Sequence, residues 1–408
     1  MSQSQDSTAT IAEVPVALDG PDFHSLGKVG DQYLLTHDRV DRTFRGLVVA
    51  TKLDDERQDF IEKWLKQQKD ALDSQALTVN QWLEAIRSRF TQETEYRLLI
   101  NLIIGISYMR ERGRHSTERE DEFSLKFIWP HIYAALTHTN SLFKPSRSSA
   151  GFVFVPLCSL VKDGAIDELW RLHVWLPGSK PADPAFSVHG HHAYGQSWIL
   201  AGEGTNHRWS VGAVADKAEA THAEYRVSWD DGKGAGAGPG YKTHQVSSTV
   251  VNTHRYFRAA HLGAEAERRG MTYTVSQDEW HSSSVAPDAV FATLFVFDAH
   301  RGTNKNAAIL GPRDGGSFTA SKKDPEGRTA EGVARSVELI RRWEDCIAAL
   351  RASKRDESEE GGECTATRGA YDHAVSLCRD EPDFPNREYY VKRTLDEWES
   401  AASRTTDV

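Results

Sequence analysis

Cysteine is scarce in this 408-residue chain. There are four, Cys158, Cys346, Cys364 and Cys378, and no two form a CxxC pair. That spacing excludes a disulfide framework and a cysteine-based zinc finger, and it fits a reducing, cytoplasmic location. Long apolar runs are missing too. The longest, LLINLIIGISYM at 98–109, falls short of the roughly 20 residues that span a bilayer; it reads as a buried helix, with no membrane partner. The opening MSQSQDSTATIAEVPVALDG has neither the basic start nor the apolar centre of a secretory signal, so no export is expected. An excess of positive charge is also absent, since 49 Lys+Arg face 59 Asp+Glu for a net charge of -10. Without a basic stripe to gather phosphates, nucleic acid is not expected as a partner.

What is there divides by hydrophobic period. Residues 1–49 show no sustained pattern and read as a loose N-terminal arm. Residues 50–150 read as a helical module. Phe60, Ile61, Trp64 and Leu65 recur at helical spacing, as do Trp82, Ile86 and Phe90 behind a Thr78 N-cap. EYRLLINLIIGISYMRERGRH continues as a more deeply buried helix, and FSLKFIWPHIYAAL adds one that Pro130 interrupts. From 151 to 312 the period becomes two. In DELWRLHVWLPG, Trp170, Leu172, Val174 and Leu176 alternate with Arg171, His173 and Trp175, and Pro177-Gly178 ends the run. Short runs of this kind, separated by turns and not by helices, predict an antiparallel sandwich or barrel. The glycine-rich DDGKGAGAGPGY at 230–241 lacks the strand-then-helix context of a nucleotide loop and reads as a flexible insertion. Residues 313–408 form a C-terminal helical extension. Val333, Val337, Ile340, Trp343, Ile347 and Leu350 make one apolar face, the acidic RDESEEGGE at 355–363 reads as a solvated linker, and one more packed helix closes the segment. The class is mainly β with helical flanks.

The chemistry centres on VHGHHAYGQSWILAGEG at 188–204. His189 and His191 are one residue apart, so an extended chain points both to the same face. A third ligand must come from elsewhere, and His281, after MTYTVSQDEW, is the best candidate; His207, His244 and His254 are its substitutes. Neutral imidazoles suit Fe, Zn, Cu or Ni, and three of them leave the full charge of the ion to attract an anion, a thiolate, water or dioxygen. Ten of the seventeen histidines fall between 189 and 300. On spacing alone, therefore, an ordinary surface or core role for the pair stays open. His192 has the opposite strand parity and faces away. Trp198 and Trp280 are assigned to the core, while Tyr194 and Tyr225 are candidate phenols for the site.

The segment HGHHAYGQSWILAGEG resembles the first motif of the cupin superfamily, with His189 and His191 as the paired histidines, Gln196 at the usual glutamate position and Gly202 closing the strand. EWHSSSVAPDAVFATLFVFD, with His281, resembles the second. The resemblance covers roughly 151–312. It implies a double-stranded β-helix (jelly-roll) barrel with N-terminal and C-terminal α-helices and one metal inside. Because Gln196 is not a carboxylate, the site is similar to the three-histidine centres of cysteine-dioxygenase-like thiol dioxygenases. There Fe(II) takes a substrate thiolate and dioxygen side by side, and sulfur gains both oxygen atoms as a sulfinate.

That resemblance implies His189, His191 and His281 as ligands of Fe(II), with Zn, Mn, Ni or Cu as alternatives. The partners would be dioxygen and a small-molecule substrate. Gln196, on the motif strand, is a candidate to hydrogen-bond a bound ligand, with a purely structural role equally open. Phe295 and Phe297 stand where that family carries a histidine and a tyrosine, and no arginine clearly matches the family's carboxylate anchor, Arg171 lying too close to the HxH pair. A larger or less polar substrate than cysteine suits such an aromatic lining. A cupin hydrolase, isomerase or lyase, and a non-catalytic cupin scaffold, are the other functions compatible with the motif.

Overall fold

The structure is a computed structural model that describes residues 33–71, 76–116, 118–139, 141–148, 150–179, 183–230, 241–245, 247–321, 327–360 and 365–403. The expected Gly-rich insertion at 231–240 and residues 1–32 of the expected arm lie outside these. The remainder of that arm is ordered. His37–Thr51 is a helix, α1, capped by the Thr36 side chain on the Arg39 N–H. Its stripe of Val40, Phe44 and Leu47 is fully buried, and this was readable as helical period before residue 50. Gly46 marks where α1 meets a sheet: a Cβ there would lie 2.2 Å from the Cys158 sulfur.

Seven further helices follow among the described residues. They are α2 (Asp55–Ala71), α3 (Val79–Arg89), α4 (Thr94–His115), α5 (Glu122–His138), α6 (Ala330–Glu360), α7 (Thr365–Asp380) and α8 (Arg387–Ser403). Thr78 caps α3 with a capping box completed by Gln81. Two sequence expectations are corrected here. Pro130 does not interrupt α5, which runs through it; only the one helical hydrogen bond from its missing N–H is lost. The acidic stretch is helical to Glu360 and is no linker up to that point, because Glu, Lys, Arg and Ser tolerate a helix when the turns before them are anchored. No helix among the described residues is long and apolar enough to cross a membrane.

The strands form two antiparallel sheets and a small two-stranded pair near α1 and α3. One sheet runs in the order Thr272–Val275, Ala193–Ala201, Phe291–Thr303, Ala165–Trp175, Val153–Lys162, Ser146–Arg147. The helices cover one of its faces. Val155, Trp170, Leu172, Val174, Trp198, Leu200, Leu294 and Val296 join helical side chains such as Phe44, Leu99, Ile128 and Val337 in the main core. Each such buried side chain contributes about 1.5–3 kcal/mol. A buried ion pair adds position to that adhesion. Arg110 of α4 meets Glu168 at 2.6 Å, with the Trp170 indole N–H donating to the same carboxylate. Burial opposes the Glu168 charge, but Arg110, Arg42 and Trp170 outweigh it and lower its pKa.

The second sheet contains Phe318–Ser321, Ser247–Arg268, Glu203–Val214, Trp280–Ser284, His189–Gly190, Ile309–Gly311 and His222–Asp230. Ser247–Arg268 pairs with Glu203–Val214 along one half and with His222–Asp230 along the other. The hydrogen-bonded order thus leads from His222–Asp230 back to Ser247–Arg268. This sheet faces the uncovered side of the first one. A Cβ on Gly204 would lie 2.9 Å from the Phe291 ring, and the His191 ring packs 5.1 Å from Phe297. Trp280 is outside the main core: half-buried, it packs with Trp209 and Val211 against a smaller core cluster of Val188, Phe257 and Leu310. Trp198 is core, stacked on Trp170.

Candidate metal centre

His189 and His281 are register partners on adjacent strands, which places their side chains on one face of the second sheet. His191 comes just after the His189–Gly190 strand, where the chain leaves that sheet for Ala193–Ala201 of the other. Its ring therefore sits between the two sheets. The ring centroids are 4.5 Å apart for His189 and His281, 4.7 Å for His191 and His281 and 5.2 Å for His189 and His191. One nitrogen from each lies within 4.8 Å of the others. His191 and His281 are 7% and 5% exposed, and His189 is half-buried at the mouth.

Hydrogen bonds outside the cluster set which nitrogens point inward. His281 Nδ1 donates to Asn206 Oδ1 at 2.9 Å, and His189 Nδ1 donates to the Ser187 carbonyl at 2.9 Å. Each ring then keeps its Nε2 lone pair free, the usual arrangement behind metal-bound histidine. His191 Nε2 lies 3.0 Å from His281 Nε2. Two nitrogens each about 2.1 Å from one ion and about a right angle apart are about 3.0 Å from each other, so the donor set fits an ion. Burial pushes the pKa of all three rings down, and their neighbours' charges lower His191 and His281 further. The rings are neutral, the form that ligates.

No family model matches the sequence, and no curated protein matches it. Solved structures do resemble it weakly. A hypothetical protein from Leishmania major is 14% identical with a TM-score of 0.19, over 40% of this chain and 77% of that one. Hydroxypropylphosphonic acid epoxidase from S. wedmorenis is 11% identical with a TM-score of 0.22, over 54% of this chain and 96% of that one. CapF with the inhibitor 3-isopropenyl-tropolone is 9% identical with a TM-score of 0.18, over 50% of this chain and 44% of that one.

The structure brings His189, His191 and His281 together and leaves the other candidates elsewhere. Gln196 is corrected. Residue 195, not 196, faces the histidines, and it is glycine: a Cβ there would lie 2.9 Å from His191 Nδ1 and 3.1 Å from the Phe295 ring. Gln196 points to the helical side, near Gly113 of α4, and accepts from Arg301 at 2.7 Å. Tyr194 shares that parity, and its hydroxyl accepts from Arg301 at 2.7 Å. Tyr225 donates to the Pro312 carbonyl at 2.8 Å and packs on Phe186. Neither phenol reaches the cluster. Of the substitute ligands, His207 bonds Ser284, His244 bonds the Val49 carbonyl, and His254 is exposed, with left-handed backbone, at an irregularity of the Ser247–Arg268 strand.

Asn206, His173 and Tyr273 escaped the sequence reading, while Phe295, Phe297 and Arg171 had been noted in it. Asn206 was one position from a histidine weighed as a ligand, but its partner lies 75 residues away. Phe295 and Phe297 wall the His191 ring edge-on at 5.9 and 5.1 Å. His173 stacks on Phe295 at 4.8 Å and on Phe152 at 4.3 Å, and burial holds its pKa well below the ordinary value. The alternation that placed His173 opposite Leu172 was its signal. Arg171 pairs in register with Phe295, lies over the Phe154 ring and donates to the Tyr241 hydroxyl. Tyr273 interacts with Ser197 and Ser283, and burial raises its pKa.

Proposed function

We propose that this chain is a mononuclear metalloenzyme of cupin jelly-roll type that holds Fe(II) on His189, His191 and His281 and uses dioxygen to oxidise a small organic molecule. The observation that carries the reading is the fixed inward aim of two Nε2 atoms, set by Asn206 and the Ser187 carbonyl, at a point the third ring also reaches. An Fe(II) ion held there supplies Lewis acidity and one-electron redox chemistry.

The chain's own residues set the conditions for it. Three neutral rings without a carboxylate leave a dication uncompensated, and Gly195 has no room for an acidic side chain beside His191. A substrate that brings its own anionic atom, a thiolate among them, restores the balance. Phe295 and Phe297 keep water from the His191 side and offer no proton. The Tyr273 phenol keeps its proton on Oη, because burial disfavours the phenolate.

The test is metal analysis of protein purified without added metal, followed by oxygen uptake with a panel of thiols and other small anions. Iron near one equivalent, with uptake that disappears in His281→Ala, is the expected result. Bound zinc with no oxygen uptake would replace this reading by metal-hydroxide chemistry, and failure to hold any ion would end it.

A further inference from the structure

On the helix-covered face of the first sheet, α5 and α6 line a cavity of about 410 Å³. Its walls include Lys126, Trp129, Tyr133, Arg269, Glu338 and Arg341. The charges in it are unevenly matched. Arg269 is saturated by Glu122 at 3.1 Å, Asp345 at 2.8 Å and Glu344 at 3.6 Å. Glu338 accepts the Trp129 indole N–H at 2.7 Å. Arg341 is different: it is 6% exposed, gives one N–H to the Leu200 carbonyl, and meets no carboxylate at ion-pair distance among the described residues. Burial and the Arg269 charge lower its pKa, against the raising effect of Glu122, Glu338 and Glu344. Its guanidinium lies 5.8 Å over the Trp129 ring and, with one N–H spent on a carbonyl, keeps donors to spare for a ligand in the cavity. Lys126 at the rim makes no ion pair, and the Tyr133 hydroxyl makes no hydrogen bond, among the described residues.

We infer that this cavity is a binding site for a small organic oxyanion, a carboxylate or a phosphate ester, held by Arg341, Lys126 and the Tyr133 hydroxyl with its apolar part against Trp129. The acids in the wall are held elsewhere, Asp345 by Arg269 and Glu338 by the Trp129 indole. The volume falls in the range of small-molecule sites, and a flat aromatic wall with a few convergent donors is how such sites hold a ligand. The site is independent of the histidines, which lie across the sheet.

Calorimetric titration of the full chain at low ionic strength tests this, with inorganic phosphate in one arm and benzoate in the other. One-site binding of either anion is expected, and the arm that binds tells phosphate esters from carboxylates. Lys126→Gln and Tyr133→Phe should each weaken it about 10-fold, the loss of one charge-assisted hydrogen bond. Arg341→Met should abolish it; should that variant not fold, the two rim variants still decide. Binding of neither anion, unchanged affinity in both rim variants, or affinity lost in His281→Ala, which would put the anion at the histidines, overturns the inference.

Discussion

Gly195→Ala is the sharpest perturbation of the histidine cluster. The glycine is in ordinary extended backbone on the Ala193–Ala201 strand, so alanine meets no conformational barrier and the effect is one of space. The new Cβ would stand 2.9 Å from His191 Nδ1 and 3.1 Å from Phe295, against about 3.5–4.0 Å for unstrained contact. One of the rings must move by about 0.5 Å, and Phe295 is pinned by the stacked His173. Overpacking of this kind costs about 1–3 kcal/mol. Metal binding should suffer as well, since ligand distances tolerate about 0.2 Å; a fall of about 10- to 100-fold in Zn(II) or Co(II) affinity is expected, as for other losses of ligand orientation.

Urea denaturation of the metal-free chain measures the first effect and calorimetric metal titration the second. Gly212→Ala is the control. It lies on the Glu203–Val214 strand with nothing within 4 Å of its added Cβ, and alanine there should leave stability unchanged or raise it by about 0.5–1 kcal/mol. Wild-type metal affinity and stability in Gly195→Ala would show that His191 does not occupy the space assigned to it, and the three-ring centre would fall with that.

Asn206→Leu removes the acceptor that fixes His281. Metal affinity should drop about 10- to 100-fold, and chain stability by about 1–3 kcal/mol for the stranded Nδ1–H; equal affinities by titration would refute the orienting role. Metal itself should stabilise the wild type, by about 4 kcal/mol at 1,000 times its Kd, and should not shift the denaturation midpoint of His281→Ala. Burial raises the Glu344 pKa to about 7 from 4.5, so the folded chain holds that proton more tightly than the unfolded one. The stability it lends is full below pH 4.5 and is lost as pH rises through about 7, roughly 3 kcal/mol in all. Glu344→Gln should flatten the urea-denaturation profile between these pH values, and an unchanged slope would count against the buried acid.

The sequence by itself determined most of the elements and the imidazole chemistry of the cluster. Period-two alternation in DELWRLHVWLPG became the strand Ala165–Trp175, with Trp170, Leu172 and Val174 under the helices and Arg171, His173 and Trp175 on the other face. The parity of HxH put two imidazoles on one side, because alternation is a property of any extended chain. Strand parity from His191 even leads to 195, where motif counting led to 196.

Only the tertiary structure decided what lies opposite those rings. The pairing of His189 with His281, the hydrogen bond from His281 to Asn206 and the approach of Phe297 each join residues far apart in the chain. Register and sheet-to-sheet packing, which no local pattern encodes, bring them together. The same holds for the cavity at Arg341: α5 and α6 are far apart in the chain, and a lysine and a tyrosine on one helix and an arginine on the other are ordinary residues until packing turns them toward one space.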